Sequence, residues 1–220
     1  MRIGIIGAGQ IGSGIAYLAL AAGYDIMLSN SRGPDTLTKL CRKLPDCRIG
    51  TAEEACKFGD LIPIAIPLKS FASLPIDALA GKIIIDANNY YPDRDGHIEE
   101  LDQRLITTSE LLARILPQSV VIKAFNAILA QDLYRDARPS GSPDRRALPI
   151  AGDNAMAKHA VGLFMDSLGF DVVDAGSLSE GWRFERAKPS YCIPLDEDGL
   201  RRALGEARRD VDLPHGSWRI

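Results

Sequence analysis

The chain has 220 residues, a length that fits one large domain or one domain with a small appendage and excludes a large multidomain assembly. Hydrophobic residues make up 46% and charged residues 25%, the balance of a chain that buries a core rather than one that stays disordered. With 26 basic against 29 acidic residues the net charge is −3, so there is no broad electrostatic footprint for nucleic acid or an anionic membrane, and any anion must be held locally.

Short apolar, β-branched runs at residues 3–6, 25–28, 61–66, 82–85 and 120–122 alternate with segments of helical spacing. In the first such segment Ile11, Ile15, Leu18, Ala19 and Ala22 fall on one helical face, and Gly23 stands where a C-terminal glycine ends a helix. Apolar strands alternating with helices imply a parallel sheet covered on both faces, the α/β class, because each crossover returns the chain across a sheet face. Residues 136–146 (DARPSGSPDRR) read as an exposed loop or linker. Beyond it come a strand at 147–151, a helix opened by Asp153 or Asn154, and a strand around 170–173; this βαβ unit either extends the sheet or starts a small second lobe. A last helix begins near Asp196, with Leu200, Leu204, Ala207 and Val211 on one face and Arg201, Arg202, Arg208 and Arg209 around them, free to dock on its own body or on a second subunit. The division expected is a dinucleotide-binding domain at 1–135 and a small C-terminal region at 136–220.

Four cysteines, Cys41, Cys47, Cys56 and Cys192, form no C-x-x-C pair and have no His at metal-ligand spacing, so reduced, mostly buried thiols and no metal site are expected. The sequence has no run of eighteen apolar residues and no charged-then-apolar leader before Gly7, which points to a cytoplasmic protein without a membrane partner.

Gly7-Ala8-Gly9-Gln10-Ile11-Gly12 matches G-x-G-x-x-G, follows the first strand directly and opens the first helix. In that context Gly7 makes the tight turn, Gly9 lets a pyrophosphate approach the backbone, and Gly12 lets helix and strand pack closely. The helix N-terminus adds unpaired N–H groups and a partial positive charge. Where an acid at the end of the second strand would bind the ribose of NAD, the chain has Ser29-Asn30-Ser31-Arg32. No carboxylate repels a 2′-phosphate there, Ser31 donates one hydrogen bond and Arg32 supplies a fork of two, so NADP(H) is preferred over NAD.

Ligands of such sheets lie across the carboxyl ends of the strands. Those ends run into Ile66-Pro67-Leu68, Asp86-Ala87-Asn88-Asn89-Tyr90-Tyr91 and Lys123-Ala124-Phe125-Asn126. Pro67, Asn88 and Asn126 are neighbours expected for the nicotinamide, whereas Tyr90, Tyr91 and Phe125 read first as structural. Carbonyl reduction needs a positioned acid, and His97, His159 and His215 all lie away from strand ends; Lys123 alone is at one. Hydride transfer between two rings needs stacking and alignment instead, and suits a pocket without an obvious acid.

These strings together, with Ile150-Ala151-Gly152-Asp153, resemble the NADPH-dependent reductases of the deazaflavin coenzyme F-420, and the reductase domain of the STEAP metalloreductases is similar, over roughly residues 1–178. The resemblance implies a Rossmann domain with a small C-terminal part, NADP(H) at the glycine turn, and direct hydride transfer to a flavin-like small molecule. Position by position it implies Gly7, Gly9, Gln10, Ile11 and Gly12 at the pyrophosphate, Ser31 with Arg32, and Asn30 or Ser29 beside them, at the 2′-phosphate, and Pro67, Asn88 and Asn126 near the nicotinamide, with Lys123 a further candidate in the acceptor pocket. Many family members have a shorter Gly-Ser-Arg loop, and the tail from Ser179 does not follow them. A homodimer is expected. Two other readings stand: a dehydrogenase of 3-hydroxy acids or imines with Lys123 as its acid, although such enzymes carry a large helical second domain, and a dinucleotide-sensing module without turnover.

Overall fold

A computed structural model describes residues 1–44, 46–214, 216 and 217; His215 therefore lies outside the described residues. Eight strands are formed among them: β1 (Arg2–Ile6), β2 (Asp25–Ser29), β3 (Arg48–Gly50), β4 (Leu61–Ile64), β5 (Ile83–Asp86), β6 (Val120–Lys123), β7 (Ala147–Ile150) and β8 (Asp171–Asp174). The first six make one parallel sheet in the order β3-β2-β1-β4-β5-β6. This is the Rossmann order, which reverses direction between β1 and β4 and leaves a crevice at their carboxyl ends.

The helices among the described residues are α1 (Gln10–Ala21), α2 (Thr38–Cys41), α3 (Ala52–Phe58), α4 (Ile76–Leu79), α5 (Pro92–Asp95), α6 (Glu99–Asp102), α7 (Thr108–Ile115), α8 (Ala130–Asp136), α9 (Ala155–Ser167) and α10 (Glu197–Glu206). Successive strand residues feed opposite faces, as the pleat requires. Ile3, Ile5, Ile85 and Ile122 join one apolar cluster with Ile15, Ala16 and Ala19 of α1 and Val161 and Phe164 of α9. Ile6, Ile64, Ile84 and Val121 join the other with Cys56 of α3 and Leu112 of α7. Both faces are covered, which is why these strands read as unbroken apolar runs.

Helix α1 ends in a turn with Gly23 at φ +85° and Tyr24 N–H donating to Ala19 O at 2.9 Å. Its buried face stops at Ala19, and Ala22 is exposed, one turn short of the expected stripe. The run at 61–66 is a strand only to Ile64, because Pro67 turns the chain into a 3-10 segment, Leu68–Ser73.

β7 and β8 pair in parallel with each other in a two-stranded sheet, and an antiparallel bridge between Lys123 and Ala151 joins the end of β6 to the residue after β7. Asn154 caps α9, accepting from Ala157 N–H at 2.9 Å, while Asp153 accepts from Leu178 N–H. Within the segment 136–146 the stretch 138–144 is the exposed loop that the composition suggests, with only Ser142 half-buried, but the ends of the segment are not. Asp136 belongs to α8, and Arg145 and Arg146 are buried. Arg145 pairs with Asp166 and Asp171 at 2.6 Å, and Arg146 with Asp136 at 2.7 Å, so two guanidinium groups anchor this crossing to the helices beside it.

Helix α10 is capped by Asp196 and buries Leu200 and Leu204 against Ala147, Val173 and Phe184. It stops at Glu206, so Ala207, Arg208, Arg209 and Val211 lie beyond it rather than on its faces. The tail docks on its own body: the Lys188 ammonium donates to the carbonyls of Arg208, Arg209 and Val211 at 2.7–3.1 Å. No helix among the described residues is long and apolar enough to cross a membrane.

Candidate functional site

The turn between β1 and α1 is built by three glycines with three different surroundings. Gly7 has φ +108°, and a Cβ there would lie 2.2 Å from the carbonyl oxygen of Ala65 and 2.9 Å from Cγ2 of Ile66. Gly12 is as constrained, since its Cβ would lie 1.8 Å from Gly7 O. A Cβ on Gly9 meets no atom within 4 Å. Gly9 caps α1 without any side-chain hydrogen bond, and no acid occupies the first turn. No side chain caps the leading N–H groups of α1, and helix N-termini of this kind receive anions such as a diphosphate.

At the end of β2, Ser29 is fully buried with its hydroxyl donating to Ile5 O at 2.9 Å, so it faces the sheet and not the loop. Asn30 organises the loop: its Oδ1 accepts from Arg32 N–H at 3.0 Å and its Nδ2 donates to Thr36 Oγ1 at 2.9 Å. This Asx turn carries Ser31 and Arg32 outward, both exposed. Pro34 then starts a short 3-10 turn, as its fixed φ favours.

Across the crevice, the end of β4 is tied to the end of β5. Asn88 Oδ1 accepts from Ile66 N–H at 2.8 Å, and Asn88 Nδ2 donates to Asp86 Oδ1 at 2.6 Å. The second Asp86 oxygen accepts from Ser109 Oγ at 2.5 Å. Lys123, fully buried at the end of β6, donates to Thr108 Oγ1 at 2.7 Å and to Asn88 O and Ser109 Oγ at 3.3 Å, and pairs with Glu185 at 3.2 Å. Gly181 makes room for the lysine stem, because a Cβ there would lie 2.8 Å from Lys123 Cδ. Burial alone would push the Glu185 carboxyl up; the Lys123 ammonium and the hydroxyl and N–H of Thr108 outweigh it and hold it below its ordinary value.

Lys123 thus has four internal partners, a setting that fits a structural cation better than the proton donor that the hydroxy-acid and imine reading required. Asn126 is buried, with Nδ2 donating to Asn89 Oδ1 at 3.1 Å and Phe184 O at 2.9 Å and with Oδ1 left without a partner. It follows Phe125, a core side chain held at φ +61°. Tyr90 donates to Asp102 at 2.7 Å, and burial and that carboxylate push its phenol up. Tyr91 bonds the hydroxyl of Tyr191 at 2.8 Å. His97 bonds Asp102 at 3.0 Å, and His159 lies exposed on α9. Phe125 is thus a core side chain, as read from the sequence, while Tyr90 and Tyr91 spend their hydroxyls on internal partners. Of the cysteines, Cys56 and Cys192 are buried and Cys41 and Cys47 only half-buried, all four unpaired.

The sequence reading placed Asp86 at this strand end but gave it no role, and it missed Thr108, Ser109 and Glu185 as parts of the edge. Asp86 had a signal: it is a charged residue closing an otherwise apolar strand, where burial requires partners. Also unforeseen is a cavity of about 370 Å³ whose wall includes Tyr90, Thr108, Trp182, Glu185 and Lys188, beside the Lys123 cluster.

Residues 2–90 match the model of the family described as NADP oxidoreductase coenzyme F420-dependent. Metalloreductase STEAP3 of Rattus norvegicus is 31% identical over 199 residues, which is 88% of this chain and 38% of that protein; the match spans little more than a third of the length of the STEAP relatives. Among solved structures, a hypothetical protein of Sinorhizobium meliloti is 28% identical with a TM-score of 0.78, covering 90% of this chain and 96% of that one. A proposed F420-dependent NADP-reductase of Arthrobacter sp. FB24 shares the fold at 22% identity and a TM-score of 0.68, covering 81% and 86%. The resemblance read from the sequence is borne out, and the family match supports NADP(H) as the dinucleotide.

Proposed function

We propose that this chain is an NADP(H)-dependent oxidoreductase that passes hydride between the nicotinamide and a deazaflavin-like or flavin-like ring at the carboxyl edge of the sheet. The observation that carries the reading is the contrast among the motif glycines: Gly7 and Gly12 are closed in by backbone, while the Cβ direction of Gly9 is open. A turn that served packing alone would have no need of glycine there.

In this reading Gly7 and Gly12 shape the turn, and the backbone of Gly9, Gln10, Ile11 and Gly12 meets the diphosphate. Arg32 and Ser31 meet the 2′-phosphate, held out by the Asn30 turn. Pro67 and Asn88 border the nicotinamide, and Asn126 lies further along the same edge. NADPH, when bound, supplies the hydride from its nicotinamide ring and leaves as NADP⁺, while the acceptor ring gains two electrons and takes its proton from water. The chain's task is then alignment rather than acid catalysis, which agrees with the internal commitment of Lys123. The region 136–220 closes the acceptor side, where Glu185 and Trp182 line the cavity.

The reading is tested by following NADPH absorbance at its nicotinamide band on addition of FMN, riboflavin or a deazaflavin, with NADH in parallel. Oxidation of NADPH with one of these rings and little with NADH is the expected result. Turnover of small carbonyl compounds or imines only, or binding of NADPH with no turnover of any acceptor, would overturn it.

A further inference from the structure

We infer that Asp86 is a positioning residue: through Asn88 it fixes the Ile66–Pro67 turn that borders the glycine turn, and so places the wall against which the nicotinamide half of NADPH rests. This deepens the proposed function and rests on it.

The chemistry of the Asn88 side chain is settled by its neighbours. A carboxylate only accepts, so the atom 2.6 Å from Asp86 Oδ1 is the amide nitrogen, and the atom facing Ile66 N–H at 2.8 Å is the amide oxygen. Reversing the amide would set oxygen against carboxylate and nitrogen against N–H. Asp86 therefore selects the only orientation in which Ile66 N–H has an acceptor, and Asn88 N–H adds a second bond to the same carboxylate oxygen at 3.1 Å. The other Asp86 oxygen is held by Ser109, with the Lys123 ammonium 3.9 Å away, and every member of this group is buried. Rotation of the carboxylate would break bonds on both sides.

What Asn88 holds is next to the diphosphate turn. The would-be Cβ of Gly7 touches Ala65 O and Ile66 Cγ2, and Ala65 N–H donates to Ile6 O at 2.9 Å, so the β4 turn packs directly on the backbone that follows β1. Pro67 then turns the chain away from the crevice. The contacts given for this turn are with Ile6 and Gly7, whereas Arg32 is held by the Asn30 turn, so its placement is expected to bear on the nicotinamide half more than on the 2′-phosphate.

The test separates the halves. Amide hydrogen exchange of the ligand-free chain is compared for wild type, Asp86→Ala, Asn88→Ala and the double variant, alongside binding of NADPH and of 2′,5′-ADP, which lacks the nicotinamide. In Asp86→Ala the exchange of Ile66 is expected to accelerate at least about tenfold, with Ile62 and Ile64 unchanged, NADPH affinity falling at least fivefold and 2′,5′-ADP affinity holding. Added to Asn88→Ala, Asp86→Ala changes Ile66 no further. If Asp86→Ala does not fold, Asp86→Leu keeps the bulk, removes both acceptor oxygens and carries the same comparison. An unchanged Ile66 amide, or equal losses for both ligands, overturns the inference. A wild-type chain that binds neither ligand overturns the function instead, and the two failures are distinct.

Discussion

Replacing Gly9 by alanine separates folding from binding at the glycine turn. Its backbone is extended, with φ −73° and ψ −170°, a conformation open to any L-residue, and the added methyl meets no protein atom within 4 Å. Folding stability is then expected to move by no more than about 0.5–1 kcal/mol, toward greater stability if the loss of unfolded-state freedom prevails. The methyl nevertheless stands where a diphosphate must approach the N–H groups of α1. Losing one charge-assisted hydrogen bond costs about 1.5–3 kcal/mol, so NADPH affinity falls by about 10- to 150-fold. Gly12→Ala gives the opposite pattern: its methyl lies 1.8 Å from Gly7 O, contact with rigid backbone that costs at least about 3 kcal/mol of stability. Thermal melting with and without NADPH reads both effects, because ligand at a hundred times its Kd adds about 2.7 kcal/mol to the wild type. Gly9→Ala should melt like the wild type when ligand-free and lose about half or more of the NADPH shift. A full shift in Gly9→Ala would refute a diphosphate at this turn.

Arg32→Ala should weaken NADPH by about 1.5–3 kcal/mol and leave NADH and the ligand-free melting curve nearly unchanged, since the side chain is exposed; equal losses for both dinucleotides in titration would make it structural. Lys123→Met should cost about 3–5 kcal/mol in urea unfolding, because it strands the Asp86 and Glu185 carboxylates without their cation; a loss under 1 kcal/mol would contradict the pairing. The Glu185 carboxyl is held below its ordinary 4.5, so its contribution to stability is present above that value and is lost as pH falls through the lower folded value. Glu185→Gln should flatten this acid limb in unfolding curves taken between pH 5 and about pH 3, and an unchanged slope would count against it. Burial pushes the Cys56 thiol up to about 12 and that of Cys192 up to about 11, so alkylation of the native chain at pH 8 should leave both unmodified until denaturant is added, as mass spectrometry would show.

The strands and the glycine turn were legible because their signals are local. Ile3 to Ile6 is a buried run followed at once by Gly7, and one stretch of sequence carries both strand and turn. β3 escaped because Arg48–Gly50 is three residues with a single large apolar side chain, too short to show a period. The composition of residues 136–146 pointed to solvent, yet Arg145 and Arg146 are buried, since guanidinium groups enter an interior when carboxylates such as Asp166 and Asp136 meet them there. Lys123 and Glu185 are 62 positions apart, and nothing in either neighbourhood announces the other. α10 ended early because Ala207 takes an extended conformation at the helix C-cap, and the Lys188 ammonium then gathers the carbonyls of the next residues into a different path.

Lys123 also shows how a strand-end lysine is to be read. A proton donor in carbonyl chemistry has to face the substrate and exchange its proton within a catalytic cycle. The Lys123 ammonium instead faces Thr108, Ser109, Asn88 O and Glu185, and a buried ammonium leaves such partners only by exposing unpaired charge to an apolar interior. Its contribution is to hold β5, the start of α7 and the segment around Glu185 in one arrangement, with Asn88 and Ile66 following from it. In the proposed ring-to-ring transfer such rigidity counts, because a misplacement of about an ångström can cost about 100-fold in rate. The polar groups at this edge act on geometry, and the reading of ring-to-ring transfer draws its support from where their hydrogen bonds are spent.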